Sequence, residues 1–248
     1  MPQPSPAVNP KIVAAIPCLN TEPWIGDVVS RAGKYVSRVI VIDDGSRDGT
    51  VEAATAAGAL VVSHGVNRGY GAAIRSCFEA AKEHAADILV IIDGDGQHDP
   101  DEIPRLLSPL LRREADIVIG SRFLDGRVRM PPYRRFGINV ITWLWNFGSK
   151  VKVSDTQSGF RAYGRAAFQG LSLSGNGMGV SIEIIEQARR TGAVIREVPI
   201  SCFYPPSRLN LGAARHGLRV ALDVPRIRLK GRLSRRRARR AKAVPDTG

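Results

Sequence analysis

Short runs of Val and Ile alternate with segments of helical hydrophobic period along the first half of the chain. The sequence predicts strands at 11–17, 38–44, 60–64, 87–92 and 115–123. Between them, residues 23–35, 48–59, 70–84 and 100–113 have the spacing of amphipathic helices. Strands that are apolar throughout and separated by helices indicate a sheet covered on both faces. With right-handed crossovers, we expect an α/β fold with an open, doubly wound, mostly parallel sheet.

The pattern changes after Phe123. Residues 134–150 are amphipathic and rich in large aromatic side chains, 180–192 form a predicted helix that ends at Gly192, and 193–204 form a late strand. We therefore expect a flexible N-terminus at 1–10, one domain at 11–225 and a basic C-terminal tail at 226–248.

The formal charge of +13 is concentrated in that tail. Residues 226–242 contain ten Lys or Arg and no acid, whereas the rest of the chain has 26 basic and 23 acidic residues. Such a block is typical of an interaction arm or a disordered end. No apolar run approaches the ~18 residues of a membrane span, and the Pro-rich start lacks a secretory signal. We expect a cytoplasmic protein, peripheral at the cytoplasmic face of the membrane, whose tail binds an anionic membrane surface or a membrane-protein partner.

Polar loops follow each of the first four predicted strands: "PCLNTE", "DDGSRDGT", "HGVNRGYG" and "DGDGQHDP". In open α/β sheets, ligands bind outside the carboxyl ends of the strands. Acidic pairs follow two of these strands, and like charges repel unless a cation lies between them. The sequence therefore predicts a ligand site at this edge.

The stretch "DGDGQHDP" has three interpretations. Asp99 and Asp101 suit a solvated turn that caps the next helix, but this leaves Asp93 and Asp95 unexplained. An EF-hand loop that begins at Asp93 is excluded, because its sixth residue is His and its twelfth is Pro. The third interpretation is a hard divalent metal bound by Asp93, Asp95 and Gln97 and shared with substrate phosphates, as Mg²⁺ usually is.

Six blocks in order make the chain recognisable: "IPCLNTE", "VIVIDDGSRDGT", "NRGYGAAIRSCFEAA", "ILVIIDGDGQHDPDEIPRLL", "GSRF" and "DTQSGFRAY". From about Lys11 to Tyr204 the sequence resembles family 2 glycosyltransferases, in particular dolichyl-phosphate mannose synthase and related polyprenyl-phosphate hexosyltransferases. "DxD" alone is a weak signal, but six ordered blocks are a strong one. The resemblance implies the nucleotide-sugar glycosyltransferase type of sheet (GT-A).

The resemblance also implies roles for individual residues. The nucleotide-binding residues would be Pro17, Leu19, Asn20, Glu22, Asp43, Asp44, Arg68, Gly69 and Asp93. Among these, Asp43 and Asp44 would hydrogen-bond the base or the ribose. The family commonly has Glu directly after the Asn of the first loop; here that position is Thr21, and Glu22 follows, so the acid that serves there is open.

For the reacting end of the site, the resemblance implies a metal, Mg²⁺ or Mn²⁺, at Asp93, Asp95 and Gln97. Asp95 and Asp155 would be the catalytic residues, with Asp155 facing the reacting centre. Arg122 and Arg161 would bind phosphate oxygens of donor or acceptor, and Arg208 is the candidate basic residue near the acceptor phosphate.

The chemistry agrees with these residue types. Expulsion of a nucleoside diphosphate requires neutralisation of its developing charge, which a metal and arginines provide. We therefore expect an inverting, metal-dependent hexosyltransferase that uses a nucleotide sugar of the GDP-mannose or UDP-glucose type and a polyprenyl or dolichyl phosphate acceptor. The alternatives are a sugar-phosphate nucleotidyltransferase, although "IPCLNTE" lacks that class's glycine-rich loop, and a nucleic-acid-binding protein acting through its tail. The domain has no basic stripe with interleaved aromatics, so no nucleic-acid partner is expected.

Overall fold

The structure of the protein, a computed structural model, describes residues 9–125, 130–147, 149, 151–175, 177 and 179–204. The candidate residue Arg208, most of the expected flexible N-terminus and the basic tail lie outside the described residues.

The described chain forms seven strands and seven α-helices. The strands are β1 (Ile12–Cys18), β2 (Arg38–Asp43), β3 (Leu60–Ser63), β4 (Ile88–Ile91), β5 (Ile117–Ser121), β6 (Arg161–Gly164) and β7 (Ile195–Pro199). The helices are α1 (Glu22–Ala32), α2 (Thr50–Ala56), α3 (Tyr70–Glu83), α4 (Ile103–Leu111), α5 (Pro132–Asn146), α6 (Arg165–Gln169) and α7 (Val180–Thr191). A 3₁₀ turn, Pro100–Glu102, precedes α4.

The strands form one sheet in the order β3-β2-β1-β4-β6-β5-β7. All neighbouring pairs are parallel except those of β6, which is antiparallel to both β4 and β5. The expectation of an open, mostly parallel sheet is confirmed. The sequence did not predict β6, because its four residues, "RAYG", contain no run of Val and Ile.

Two apolar layers cover the two faces of the sheet. One contains Phe78, Tyr163 and Trp145, with the Phe78 and Tyr163 rings packed edge to face at 5.2 Å. The other contains Ile25 from α1 and Leu106 from α4. Both faces of β1 and β4 are therefore buried, which is why these strands are apolar at successive positions.

Helix boundaries follow local hydrogen-bonding groups. The predicted opening of the second helix at Asp48 moves to Thr50, whose N–H donates to the Asp48 carboxylate at 3.2 Å. α7 is followed by Gly192 as predicted, and this glycine has the left-handed φ of 80° that suits a residue without Cβ. Within the described residues, no helix combines the length and the apolar character needed to cross a membrane.

Candidate active site

The loops after β1, β2 and β4 are tied together by hydrogen bonds at the carboxyl edge of the sheet. The N–H of Gly94 donates to the Pro17 carbonyl at 3.2 Å, and the side chain of Asn20 accepts the N–H of Arg47 at 2.9 Å. Leu19, which lies between Pro17 and Asn20 in the sequence, has 38% of its surface exposed. The structure thus brings the predicted first-loop residues to the same edge as the acidic loops.

Glu22 lies one turn further on, at the start of α1. Its carboxylate accepts the N–H of Gly49 at 2.9 Å, and its own N–H donates to Asp48 at 3.3 Å. This acid therefore stabilises the loop before α2.

Asp43 ends β2 and is almost fully buried. Its carboxylate accepts the N–H of Ser46 at 2.9 Å and the hydroxyl of Ser63 at 2.7 Å. Burial opposes ionisation, but hydrogen bonds from Ser46 and Ser63 outweigh it and lower the pKa of Asp43. Asp43 is thus held as an anion at the edge where a nucleotide is expected.

Asp44 organises the loop between β3 and α3. Its carboxylate accepts hydrogen bonds from the N–H groups of Arg68 and Gly69, at 2.9 and 2.8 Å, and lies 2.8 Å from Nδ1 of His64. The other ring nitrogen of His64 lies 2.8 Å from the Ser76 hydroxyl. Asp44, expected beside the base or the ribose, is therefore engaged on both oxygens by its own chain, and it fixes Gly69 at a φ of 93°.

Asp93 and Asp95 lie directly after β4 and are half-buried. Tyr70 donates its hydroxyl to Asp93 at 3.2 Å, and a Cβ on Gly159 would overlap the Asp93 carboxylate. Burial, followed by the charge of Asp95, raises the pKa of Asp93 to about 7, and burial also raises the pKa of Asp95. Two full negative charges on this pair are therefore unfavourable unless a cation joins it.

This donor set fits a divalent metal. Asp93 and Asp95 offer hard oxygen ligands, and Gln97, whose N–H donates to Asp95 at 3.0 Å, follows on the same loop. Among the described residues, no group of three or more His, Cys, Asp or Glu side chains forms a cage for an ion. Two carboxylates without a full set of protein ligands suit an ion that takes its remaining ligands from substrate phosphates and water.

The later acids of the same loop have a different environment. Asp99 and Asp101 both pair with the guanidinium of Arg31, and the Asp99 side chain accepts the N–H of Asp101 at 3.1 Å. The capping interpretation is thus confirmed for Asp99, which caps the 3₁₀ turn.

Arg122 and Asp155 form a buried ion pair on the other side of the site. Asp155 is fully buried, and it also accepts the N–H of Arg122 at 3.2 Å. Burial opposes the charge of Asp155, but Arg122 outweighs it and lowers the pKa of this carboxyl. The remaining guanidinium nitrogen, Nη1 of Arg122, donates to the Tyr204 hydroxyl at 2.8 Å.

Arg161 begins β6 and is 2% exposed. Its guanidinium donates to the backbone carbonyls of Ser158, Ser181 and Thr156 at 2.8, 3.1 and 2.9 Å. Burial and Asp95 raise the pKa of Asp93, and the positive charges of Arg122 and Arg161 offset part of that rise, so these arginines act on the acidic pair through the electric field. Their expected phosphate contacts stay a prediction, because both guanidinium groups bind protein atoms here.

Arg134, in the first turn of α5, differs from these two arginines. Its guanidinium lies over the Tyr204 ring at 5.1 Å, and its charge offsets part of the rise that burial causes in the pKa of Asp95. In the described part of the chain it forms no ion pair with an acid. The field of a cation therefore reaches the loop of Asp93 and Asp95 from a residue whose guanidinium is not held by a described carboxylate.

The described geometry consists of an acidic edge of the sheet, the Asp93–Asp95 pair and several arginines. Comparison with known proteins shows the family to which the chain belongs. The model of the family described as "Glycosyl transferase family 2" matches residues 13–171. The chain belongs to glycosyltransferase family 2. It is a glycosyltransferase, which decides against the nucleotidyltransferase alternative.

Relatives narrow the branch of this family. The chain is 34% identical over 215 residues to "Glycosyltransferase AglJ" of Haloferax volcanii, covering 85% of this chain and 69% of that protein. It is 32% identical over 204 residues to "Polyprenol monophosphomannose synthase" of Mycolicibacterium smegmatis, covering 77% of each. The predicted resemblance to polyprenyl-phosphate hexosyltransferases is confirmed.

Solved structures confirm the GT-A type of fold. Glucosyl-3-phosphoglycerate synthase of Mycobacterium tuberculosis, solved with Mn²⁺ and UDP-glucose, superposes with a TM-score of 0.69 at 25% identity. The superposition covers 96% of this chain and 81% of that one.

Several residues of this site carry no recognisable signal in the sequence. Tyr70 and Gly159 both touch Asp93, yet neither residue type indicates metal binding. Arg134 is one of several arginines that follow β5, and the sequence does not distinguish it from the others. His64 has no metal-ligand or catalytic spacing in the sequence, yet its ring is largely buried and lies 2.8 Å from the Asp44 carboxylate. Only the fold brings these residues together.

Proposed function

We propose that this glycosyltransferase transfers a hexose from a nucleotide sugar to a polyprenyl or dolichyl phosphate, with inversion at the anomeric carbon. The observation that carries the proposal is the half-buried Asp93–Asp95 pair, which cannot hold two negative charges favourably without a cation and which lies within the electric field of Arg122 and Arg161. Similarity to a polyprenol monophosphomannose synthase supports this acceptor class. Similarity to an enzyme solved with UDP-glucose supports a nucleotide-sugar donor.

The donor would lie along the edge formed by Pro17, Leu19 and Asn20, with Asp43 as the acid available to the base or the ribose. Asp44, Arg68 and Gly69 would shape the pocket wall, because the Asp44 carboxylate holds both N–H groups of that turn. Asp93, Asp95 and Gln97 would hold Mg²⁺ or Mn²⁺. When bound, such an ion neutralises the charge that develops on the leaving diphosphate.

The acceptor would approach from the side of α5. A phosphate monoester has a second pKa of ~6, so its oxygen is already anionic and needs no strong general base. In one displacement, this oxygen forms a bond to the anomeric carbon while the bond to the nucleoside diphosphate breaks on the opposite face.

Cations must bring these two anions together. Arg134 is the candidate for direct contact with the acceptor phosphate, because no described carboxylate pairs with it. Arg122 and Arg161 would contribute mainly through their field, which already reaches Asp93. Asp155 would act as a positioning residue, since it holds Arg122.

The test measures sugar transfer from a panel of nucleotide sugars, including GDP-mannose and UDP-glucose. Each assay contains polyprenyl phosphate as acceptor and either Mg²⁺ or Mn²⁺. Lipid-linked product should form with one donor, and NMR of that product should show the inverted anomer. 3-Phosphoglycerate serves as a competing acceptor, because a structural relative is named for it. Sugar transfer to it alone would overturn the lipid acceptor.

Asp95→Asn tests the metal assignment, and Asp101→Asn is its matched control. An amide keeps the shape of the side chain and removes its charge, so transfer should be lost while the thermal unfolding temperature is retained. Asp101→Asn, on the same loop but bound to Arg31, should keep its activity. If EDTA and Asp95→Asn both leave turnover unchanged, the metal assignment is wrong.

We further propose that the enzyme acts at the cytoplasmic face of the membrane. An acceptor with a long prenyl chain resides in a bilayer, and residues 226–242 supply ten basic side chains that attract anionic lipids. A membrane-protein partner for this tail is the alternative.

A further inference from the structure

The outward face of α5 carries three large aromatic side chains. Phe136, Trp143 and Phe147, the last just after the helix, are 72%, 63% and 69% exposed. Spacings of seven and four residues place them on one line along the helix. The rings of Trp143 and Phe147 lie 5.8 Å apart. We call these three residues the aromatic ridge.

The opposite face of α5 holds the helix in the domain. Ile141 and Trp145 are buried in the core, and the Thr142 hydroxyl lies 3.0 Å from that of Thr156. Because this inner face is packed, the aromatic ridge projects from an anchored helix. A surface helix normally exposes polar side chains, and aligned exposed aromatics mark interaction sites.

The charge around the aromatic ridge is positive. α5 contains two arginines, Arg134 and Arg135, and no acid. The described chain also ends beside this helix, because the Tyr204 ring lies 5.1 Å from the Arg134 guanidinium. The sequence that carries the ten basic residues of 226–242 follows from this point.

The aromatic ridge lies on the same helix as Arg134, the proposed contact of the acceptor phosphate, which is in the first turn of α5. A surface that binds along α5 would therefore lie next to the acceptor side of the site.

We propose that the aromatic ridge inserts into the surface of an anionic lipid bilayer. Trp and Phe on one helix face, flanked by arginines and without acids, have the chemistry of a helix that lies in the lipid interface. A second copy of this chain would bring two sets of arginines together, which like-charge repulsion opposes. The inference is independent of catalysis, because it concerns binding to lipid without acceptor.

The test uses the full chain and vesicles of phosphatidylcholine and phosphatidylglycerol that contain no polyprenyl phosphate. The ridge variant combines Phe136→Ser, Trp143→Ser and Phe147→Ser. The control variant combines Leu60→Ser, Leu111→Ser and Val194→Ser, three other exposed apolar side chains. The ridge variant should bind vesicles at least about tenfold more weakly than wild type, since burial of one large apolar side chain is worth about tenfold or more. The control variant should bind like wild type.

High salt separates the aromatic contribution from that of the basic tail. At 1 M salt the Debye length is about 3 Å, so residual vesicle binding reports apolar insertion. Wild type should retain part of its binding there, and the ridge variant should retain none. Equal binding by the ridge and control variants at high salt would overturn the proposal.

A second measurement needs no multiple substitution. Brominated lipids should quench the fluorescence of wild type and quench that of Trp143→Phe much less. Of the other two tryptophans, Trp145 is buried, and Trp24 lies on α1 and is not part of the aromatic ridge. Equal quenching of the two proteins would contradict insertion. Light scattering tests the competing occupant: a wild-type dimer that the ridge variant converts to monomer, with unchanged vesicle binding, would assign the aromatic ridge to a second copy of the chain.

Discussion

Nε and Nη2 of Arg122 donate to the two carboxylate oxygens of Asp155 at 2.6 and 2.8 Å, in a fork that is almost completely buried. Both charges have left water, so each depends on the other. The pair joins the end of β5 to the segment before β6, and Glu197 supports it by accepting the N–H of Asp155 at 3.1 Å. It therefore connects the stability of the domain to the geometry of the proposed acceptor side.

Asp155→Asn should lower the free energy of unfolding by about 3–5 kcal/mol, because it leaves a buried guanidinium without its anion. Urea unfolding measures this change. The matched control is Glu114→Gln, whose partner Arg112 is exposed, and it should change stability far less. Equal losses in the two variants would show that Arg122 does not depend on Asp155.

The Asp93–Asp95 pair predicts a pH dependence of stability in metal-free protein. The pKa of Asp93 in the folded state is about 7, above the ordinary value of 3.8. Between these values the native state holds a proton that the unfolded chain has released. This group's contribution therefore falls as pH rises from about 4 to about 7.

Asp93→Asn cannot ionise, so in EDTA it should unfold at a higher temperature than wild type at pH 8 and lose this advantage near pH 4. Thermal unfolding from pH 4 to 8 measures the difference. Asp27→Asn, an exposed site on α1, should follow wild type throughout. Mn²⁺ at pH 8 should stabilise wild type and not Asp93→Asn; a parallel pH profile for all three proteins would contradict this account.

A side chain at position 159 should disturb the Asp93–Asp95 pair. Alanine there would place a Cβ within the Asp93 carboxylate, so Asp93 must move. Gly159→Ala should weaken Mn²⁺ binding, measured by calorimetry, and reduce transfer by roughly tenfold or more, since a charged interaction is worth ~1.5–3 kcal/mol.

Gly137→Ala is the control for this substitution. Its Cβ would meet no atom within 4 Å, and alanine favours the α5 helix in which it lies. This variant should bind Mn²⁺ as wild type does. Normal metal affinity in Gly159→Ala would mean that Asp93 is not positioned by the segment before β6.

We predict that the acceptor phosphate binds at Arg134. Arg134→Ala should slow transfer by roughly tenfold or more through the loss of one charged hydrogen bond worth ~1.5–3 kcal/mol. The effect should appear in the KM for the prenyl phosphate and leave the KM for the nucleotide sugar unchanged. Arg135→Ala removes the same side chain one residue along, at an exposed position, and should retain activity. The reverse order of effects would move the acceptor site.

The sequence predicted six of the seven strands, because Val and Ile runs reveal buried parallel strands directly. It also placed the polar loops correctly, since carboxyl ends of parallel strands share one edge. β6 was missed because an antiparallel strand of four residues lacks that signature. The loop identity of Asp93 and Asp95 was visible in the sequence, whereas their desolvation depends on neighbours from distant segments.

The contacts of the arginines likewise depend on distant segments and could not be predicted from the sequence. Nothing in "GSRF" or "SGFR" shows that Arg122 faces a carboxylate or that Arg161 faces three carbonyls; those partners come from tertiary packing. Sequence spacing therefore identified residues near the site and did not determine what each guanidinium contacts.

The basic tail predicts the salt-dependent part of membrane binding. Each basic residue near an anionic leaflet contributes about 1 kcal/mol, so even partial engagement of the ten in 226–242 would hold the protein at the surface. Deletion of residues 226–248 should release most of the protein from anionic vesicles in sedimentation assays at 0.1 M salt. Binding by the full chain should weaken steeply with salt, as the Debye length falls from about 10 Å at 0.1 M to about 3 Å at 1 M.

Catalysis should not depend on the tail, because every described site residue precedes Tyr204. The truncated enzyme should therefore transfer sugar to a short, water-soluble prenyl phosphate at the wild-type rate, and lose rate only when the acceptor is embedded in vesicles. Neutral vesicles are the control, since they offer the tail no charge and should bind both chains equally. A truncated enzyme that sediments with anionic vesicles as completely as the full chain at 0.1 M salt would show that the tail is not the membrane-binding element.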